Sequence, residues 1–487
     1  MLERVTGSVI TKPVHHPVVL GSGNYGDTLL ITSTGAIRPS TAGATALTAP
    51  GTLPSAFITN AGTIRGGSGG PTAAGGVGID FASAAGTITN GGLIAGGHGY
   101  YTPTGLQGGG GGAGLLASGA PSVENSGTIM GGGGAPAYQS HGGPGGVGVS
   151  LSAGTLANTG RIVGGHGGNV TYGDGDGGGG GSGVSLGTGA TLQNMATIQG
   201  GAGGVGYFYG GAGGTAVVLA ANEGASSNAG MIAGGNGGRE LSELTDYTGG
   251  DGGVGVTLGS GDTFTNDGTI LGGRGGYGHS AGSGGTGVIV TRGTLITSGF
   301  IKGGATGGYF GQGGAGVSLN GGTLVDSGTI TAGAGGGGGQ PGDAVLFGSG
   351  GGQAILEAGA KIEGRFGGWG SGDTIDVRTV QATSFLFQGG TLSLLNAHDH
   401  VAYKLDFDGT YTSADFALKP DGAGGTDVIF GSAAGLPDFL PSLTLGGSGH
   451  AVPSGVSAYK LGALHMHEPD AVTLLFDHAH YSAGQLC

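Results

Sequence analysis

One phrase dominates this chain and limits what it can become. A pattern of the form N-x-G-x-I-x-G-G stands in the sequence as NAGTIRGG, NGGLIAGG, NSGTIMGG, NTGRIVGG, NMATIQGG, NAGMIAGG and NDGTILGG. Its isoleucine recurs as Ile64, Ile94, Ile129, Ile162, Ile198, Ile232, Ile270, Ile301 and Ile330, at spacings of 29 to 38 residues. The last two copies put Thr297 and Asp326 in place of the asparagine. A unit of that length cannot bury its own apolar face, so it must stack on its neighbours as a solenoid.

Two shorter phrases accompany each later copy. GVxL places Val149 with Leu151, Val184 with Leu186, Val217 with Leu219, Val256 with Leu258 and Val317 with Leu319. TLxN and its relatives place Ile88, Val123, Leu156, Leu192, Phe264, Leu295 and Leu324 six positions before the key isoleucine, with Ser226 as a departure. Residues two apart on an extended strand share a face, so each phrase reads as a short strand with its apolar residues inward. The stretch from the GVxL leucine to the isoleucine keeps to twelve residues give or take two, while the glycine-rich run that follows varies freely. Inserts are tolerated only where they leave the stack, so all of them must leave from one corner. The expected fold is all-β: a single-stranded, right-handed parallel β-helix of about nine or ten three-strand coils, roughly 45 Å long at the ~4.8 Å strand spacing.

Stacking sets like on like, isoleucine on isoleucine along the interior. Asn60, Asn90, Asn125, Asn158, Asn194, Asn228 and Asn266 then form a ladder at one corner, where their amides bond from coil to coil and tolerate a sharp turn. The ladder reading makes them structural and not a ligand site. Regular placement of this kind matters because 131 of 487 residues are glycine, a composition that otherwise reads as low complexity. The 15 Lys and Arg do not cluster in sequence and the net charge is −14, which argues against nucleic acid as a partner. A single cysteine, Cys487, excludes an internal disulfide framework. No apolar run suggests a transmembrane segment. The opening MLERVTGSVITKPVHHPVVLGSG has no clear signal-peptide core. The chain is therefore cytoplasmic, is exported without an amino-terminal signal, or has its signal outside this numbering.

Phrases such as NSGTIMGGGG, GGVGVSLSAGTLANTGRIVGGHGG and GVTLGSGDTFTNDGTILGG resemble the glycine-rich repeats of bacterial autotransporter passengers and haemagglutinin-type adhesins. The resemblance covers residues 55 to 347 and implies a parallel β-helix, display at the bacterial surface, and a role in adhesion, aggregation or biofilm. It does not extend to the strands of an outer-membrane barrel. Residues 364 to 430 are similar to the closing segment of large exported repeat proteins, some of which leave by a one-step route.

The inserts hold the tyrosines that the strand phrases lack: Tyr100, Tyr101, Tyr138, Tyr172, Tyr207, Tyr209, Tyr247, Tyr277 and Tyr309, with Phe208, Phe310, His98, His141, His166 and His279. Inserts from one corner would align these rings into a ridge suited to stacking on sugars or sealing a protein contact. Equally, the rings can pack onto their own glycine loops, or cap extended polyglycine strands that GGGGG and GGxGG allow. Asp174 and Asp176 in GDGDG suggest calcium, but a calcium roll needs its nonapeptide in tandem, and the repeat here is longer. His465, His467, His478 and His480 stand in pairs two apart, as do His398 and His400, yet exposed histidines are the commoner reading. No metal or cofactor is expected. Catalysis on a polysaccharide would need paired carboxylates, and the densest charged patch is Arg239, Glu240, Glu243 and Asp246.

Four regions follow. Residues 1–54 read as a leading segment and N-terminal cap, 55–347 as the repeat solenoid, 348–432 as a closing β-rich segment with Phe385, Leu386, Phe387, Leu392, Leu394 and Leu395 as its apolar cluster, and 433–487 as a tail for export, anchoring or assembly. The expected role is a secreted or cell-surface adhesive or structural protein. Its partner would be a surface or matrix polysaccharide or protein, and its open ends allow self-assembly into filaments. The alternative is a polysaccharide lyase or hydrolase on the same scaffold.

Overall fold

The computed structural model describes residues 7–431, apart from 72, 102–106, 171, 221–223 and 243–246. Each repeat contributes a short strand around its key isoleucine, and these strands pair in parallel into one twelve-stranded sheet. The register sets Ile37 beside Ile64, then runs through Ile94, Ile129, Ile162, Ile198, Ile232, Ile270, Ile301 and Ile330 to Ile362. From Ile64 to Ile330 every one of these side chains is fully buried. At about 1.5–3 kcal/mol per buried aliphatic side chain, this column is a principal stabilising element. The parallel β-solenoid expected from the repeat is therefore the fold.

The other two faces of the coil merge. In Val149–Asn158 and Val184–Asn194 the GVxL and TLxN phrases continue through their corner as single strands of ten and eleven residues, which joins both faces into one 25-stranded sheet. Ser226, the odd residue in the leucine column, is buried and its Oγ accepts the Leu192 backbone N–H at 3.0 Å. The hydroxyl thus satisfies a donor inside the core, which is how a polar side chain is tolerated there.

The asparagine ladder is continuous. Each Nδ2 donates to the next Oδ1 at 2.7–2.8 Å from Asn60 through Asn90, Asn125, Asn158, Asn194 and Asn228 to Asn266. Thr297 extends it: its Oγ1 accepts from Asn266 Nδ2 at 3.1 Å. Asp326 ends it badly. Its Oδ1 accepts from the Gly328 N–H at 2.9 Å, but the buried Oδ2 has no partner, and burial pushes the carboxyl up to about 6.

Residues 8–49, inside the stretch read from sequence as a leading segment and cap, carry two coils of the same ladder. Pro13–Val14 pairs with Ala36–Ile37, and that strand with Thr63–Arg65. Ile31 occupies the asparagine position, beside Asn60. Nine repeats, these two coils and one after Phe347 make up the twelve.

At the other end the parallel stack stops at Thr374–Val377. Its free edge is covered by Thr426–Ile429 in antiparallel pairing, and that strand by Ala417–Pro420, so the exposed edge is blunted. A three-stranded antiparallel sheet, Ser384–Gln388, Thr391–Leu395 and Val401–Asp406, completes this region. Leu392 and Leu394 are fully buried, but Leu386 is 55% exposed and lies outside the cluster it was expected to join. The aromatic centre is instead Trp369 with Phe347, Phe407 and Phe416, at ring separations of 5.5 to 6.1 Å. The tail from residue 432, with its four histidines and Cys487, lies outside the described residues.

Candidate functional site

What the inserts present depends on how they are held, and glycine spacing holds them. After each isoleucine strand a glycine-rich outgoing arm leaves the coil, GGxGG in five of the nine repeats, and a similar incoming arm returns to the next GVxL strand. Gly164 and Gly167 donate to the outgoing arm of the next coil, at Gln199 O and Ala202 O, at 2.9 and 2.8 Å. Gly165 and Gly168 donate across to the incoming arm of the previous insert, at Gly146 O and Gly143 O, both at 2.7 Å. Incoming arms behave likewise: Gly181 and Gly178 donate to Gly165 O and Gly168 O at 2.8 Å, and Gly180 to Ala212 O at 2.9 Å. A three-residue period of this kind belongs to an extended threefold helix, which has no internal hydrogen bonds and so offers every peptide group to neighbours.

One such relay passes from Gly76 through Gly97, Gly112, Gly132, Gly146, Gly165, Gly181, Gly201, Gly214, Gly235, Gly253, Gly273, Gly285, Gly304 and Gly314 to Gly333 and Gly342. The inserts are thus a two-layer array of polyglycine arms. Glycine is required there by space: a Cβ on Gly201 would fall inside the carbonyl of Gly165, and one on Gly165 inside that of Gly132. At the third position no backbone crowds in this way: a Cβ on Gly179 meets only Ala212 O at 3.9 Å, and at Gly133 what stands in the way is the His166 side chain.

The array carries its aromatic residues at the tips, in groups. Tyr138 stacks on Tyr172 with centroids 5.7 Å apart and planes within 3°. Phe208 stacks on Tyr247 at 4.2 Å, with Tyr207 and Tyr209 edge-on to that pair at 5.4 Å. Tyr277 lies under the Arg239 guanidinium at 5.6 Å. Tyr100 and Tyr101 are exposed. Tyr309 and Phe310 rest over Gly337 and Gly338 yet remain 64% and 65% exposed. Phe310 also has φ of 61°, a left-handed conformation that is strained for a bulky side chain by about 1–3 kcal/mol.

Histidines counted with the tips divide. His141 pairs with Asp176 at 3.1 Å, but His98 and His166 sit in the first triad of their arms, at the foot of the array. Glu240 is buried, accepting from Ser242 and, at 3.1 Å, from the His279 N–H; Glu243 and Asp246 lie outside the described residues. Asp174 is exposed, and among the described residues no three His, Cys, Asp or Glu side chains are grouped as a metal site. His398 and His400 have rings 6.4 Å apart, and both backbone N–H groups bond Asn396. Among the described residues no helix is long and apolar enough to cross a membrane.

Fold and insert together define a class: a parallel β-solenoid whose glycine arms form a hydrogen-bonded layer with aromatic tips. Comparison with known protein families, with characterised proteins and with solved structures returns no match.

Proposed function

We propose that this chain is a secreted or bacterial cell-surface adhesive or structural protein that engages a surface or matrix polysaccharide or protein through its aromatic tips. Exposed, strained Phe310 carries the reading. A ring held against its backbone preference and mostly in water adds little to packing, so its placement there is better accounted for by contact with a partner. The likeness of residues 55 to 347 to autotransporter and haemagglutinin-type repeats supports the same reading.

Phe310→Gly is the test, because it removes the ring and the backbone strain together. Binding to an array of immobilised polysaccharides and to whole cells should fall, while thermal stability holds or rises. A parallel loss of both would make the ring a packing element and overturn the reading. Release of shortened oligosaccharides from an incubated polysaccharide, abolished by Arg239→Ala, would overturn it in favour of an enzyme.

A further inference from the structure

On the outer face of the outgoing arms, residues one and four after each key isoleucine share a side, because a β-strand continues there into a threefold helix. Neither these positions nor those one before the isoleucine hold any Asp or Glu from Thr63 to Ala334. They do hold Arg65, His98, Arg161, His166, Arg274 and Lys302, a one-sign face on a chain of net charge −14.

A groove of about 270 Å³ lies in this face, lined by His98, Met130, Arg161, His166 and Gln199 over the bare backbone of Gly133. The missing side chain at Gly133 leaves room for the two imidazoles, whose centroids are 6.5 Å apart. Their tautomers follow from backbone partners. The Gly133 N–H donates to His98 Nδ1 at 3.1 Å, so in the neutral ring the proton is on Nε2. That Nε2 faces Arg65 Nη1 at 3.3 Å, and a guanidinium has only donors to offer. Two donors therefore meet with no acceptor between them. His166 Nδ1 donates to Gly167 O at 3.0 Å, leaving its Nε2 free of that bond, and Arg161 reaches Gln199 Oε1 only at 3.4 Å. Burial first, and then the charges of Arg65 and His166, hold His98 below the usual histidine range.

We infer that this groove binds the carboxylate or sulfate group of an acidic polysaccharide, with an anionic oxygen accepting from His98 Nε2 and from Arg65, which stands beside His98 just outside the groove, and with the guanidinium of Arg161 in the groove wall. The groove falls just below the ~300–1,000 Å³ of small-ligand sites, which suits one charged sugar of a chain and not a duplex. The inference names a ligand class for the adhesive reading and rests on it, but through residues distinct from the tips.

The test is retention of the intact protein on immobilised polygalacturonate and dextran sulfate at low salt, with neutral dextran and duplex DNA as further arms. Retention on one or both acidic polymers, released by salt, is expected; the polymer retained tells carboxylate from sulfate. Arg65→Gln with Arg161→Gln should weaken it roughly tenfold or more, the loss expected for charge-assisted hydrogen bonds. Phe310→Gly should leave it intact, so failure of the tips and failure of the groove are separable. Equal retention by the arginine variant, equal binding to neutral dextran, or stronger binding to DNA would overturn the proposal. Should the variant fold poorly, the wild-type protein decides: polygalacturonate or dextran sulfate must move the His98 ring resonances and raise its pKa, and the absence of both changes overturns the site.

Discussion

The coil and the glycine array stack at the same repeat and are held by opposite means. In the coil, side chains fill the interior and neighbouring strands can differ in detail, as Ser226 shows in a leucine column. In the array few side chains are buried, Ala135, Ala137 and Val170 among them, and cohesion comes mainly from backbone hydrogen bonds, each worth about 0.5–1.5 kcal/mol net. Ordering glycine opposes this more than ordering any other residue. The comparison teaches that the array needs the coil as a template. Each arm is fixed at its foot by an isoleucine strand, so the coil supplies the register that polyglycine lacks.

That dependence can be broken from the coil side. Ile198→Ala should destabilise the protein by about 2–5 kcal/mol, the range for a large-to-small change in a tight core, read by chemical denaturation. Amide exchange should then show Gly200 and Gly201 losing protection along with the strand; protected arms beside a loosened coil would mean that the array stands alone. From the array side, Gly201→Ala should cost about 1–3 kcal/mol as an overpacking change, whereas Gly179→Ala should leave stability unchanged to within ~0.5 kcal/mol. Equal effects at the two positions would remove the threefold account of the arms.

A smaller gain is expected at the ladder's end. Asp326 has its carboxyl raised from 3.8 to about 6 by burial, and Asp343 likewise, by burial and by Asp408, against the opposing charge of Arg365. A raised folded pKa means stability present below pH 3.8 and lost as pH rises through about 6. Asp326→Asn should flatten part of that fall and stabilise the protein at pH 7 by about 1–2 kcal/mol, seen in melting temperature against pH. An unchanged profile would assign the pH dependence elsewhere.

Where the repeat kept its isoleucine and asparagine, the coil was readable from sequence, since ladder and core demand the same residue at each turn. The two coils before residue 55 escaped because Ile31 stands where asparagine belongs, and six positions separate it from Ile37 against four from Asn60 to Ile64. The inserts were half legible. GGxGG indicated extended arms, but which rings would touch was not legible: Tyr138 meets Tyr172, and Phe208 meets Tyr247, only because of the coil-to-coil register. The basic face was hidden for a plainer reason. Arg65 and His98 are 33 residues apart, as are Met130 and Val163, and only the coil-to-coil register makes such pairs neighbours.

The open third position in each arm has an evolutionary consequence. Two letters of every triplet are spoken for by the crowding of backbone on backbone, and the remaining letter points outward, free to meet its neighbours in the adjoining coils, as Arg274 meets Asn236. His166, Ala202, Asn236 and Arg274 occupy that letter in four successive turns without disturbing their neighbours. Such a lattice works as a pegboard: its chemistry can be rewritten peg by peg while the board stays the same.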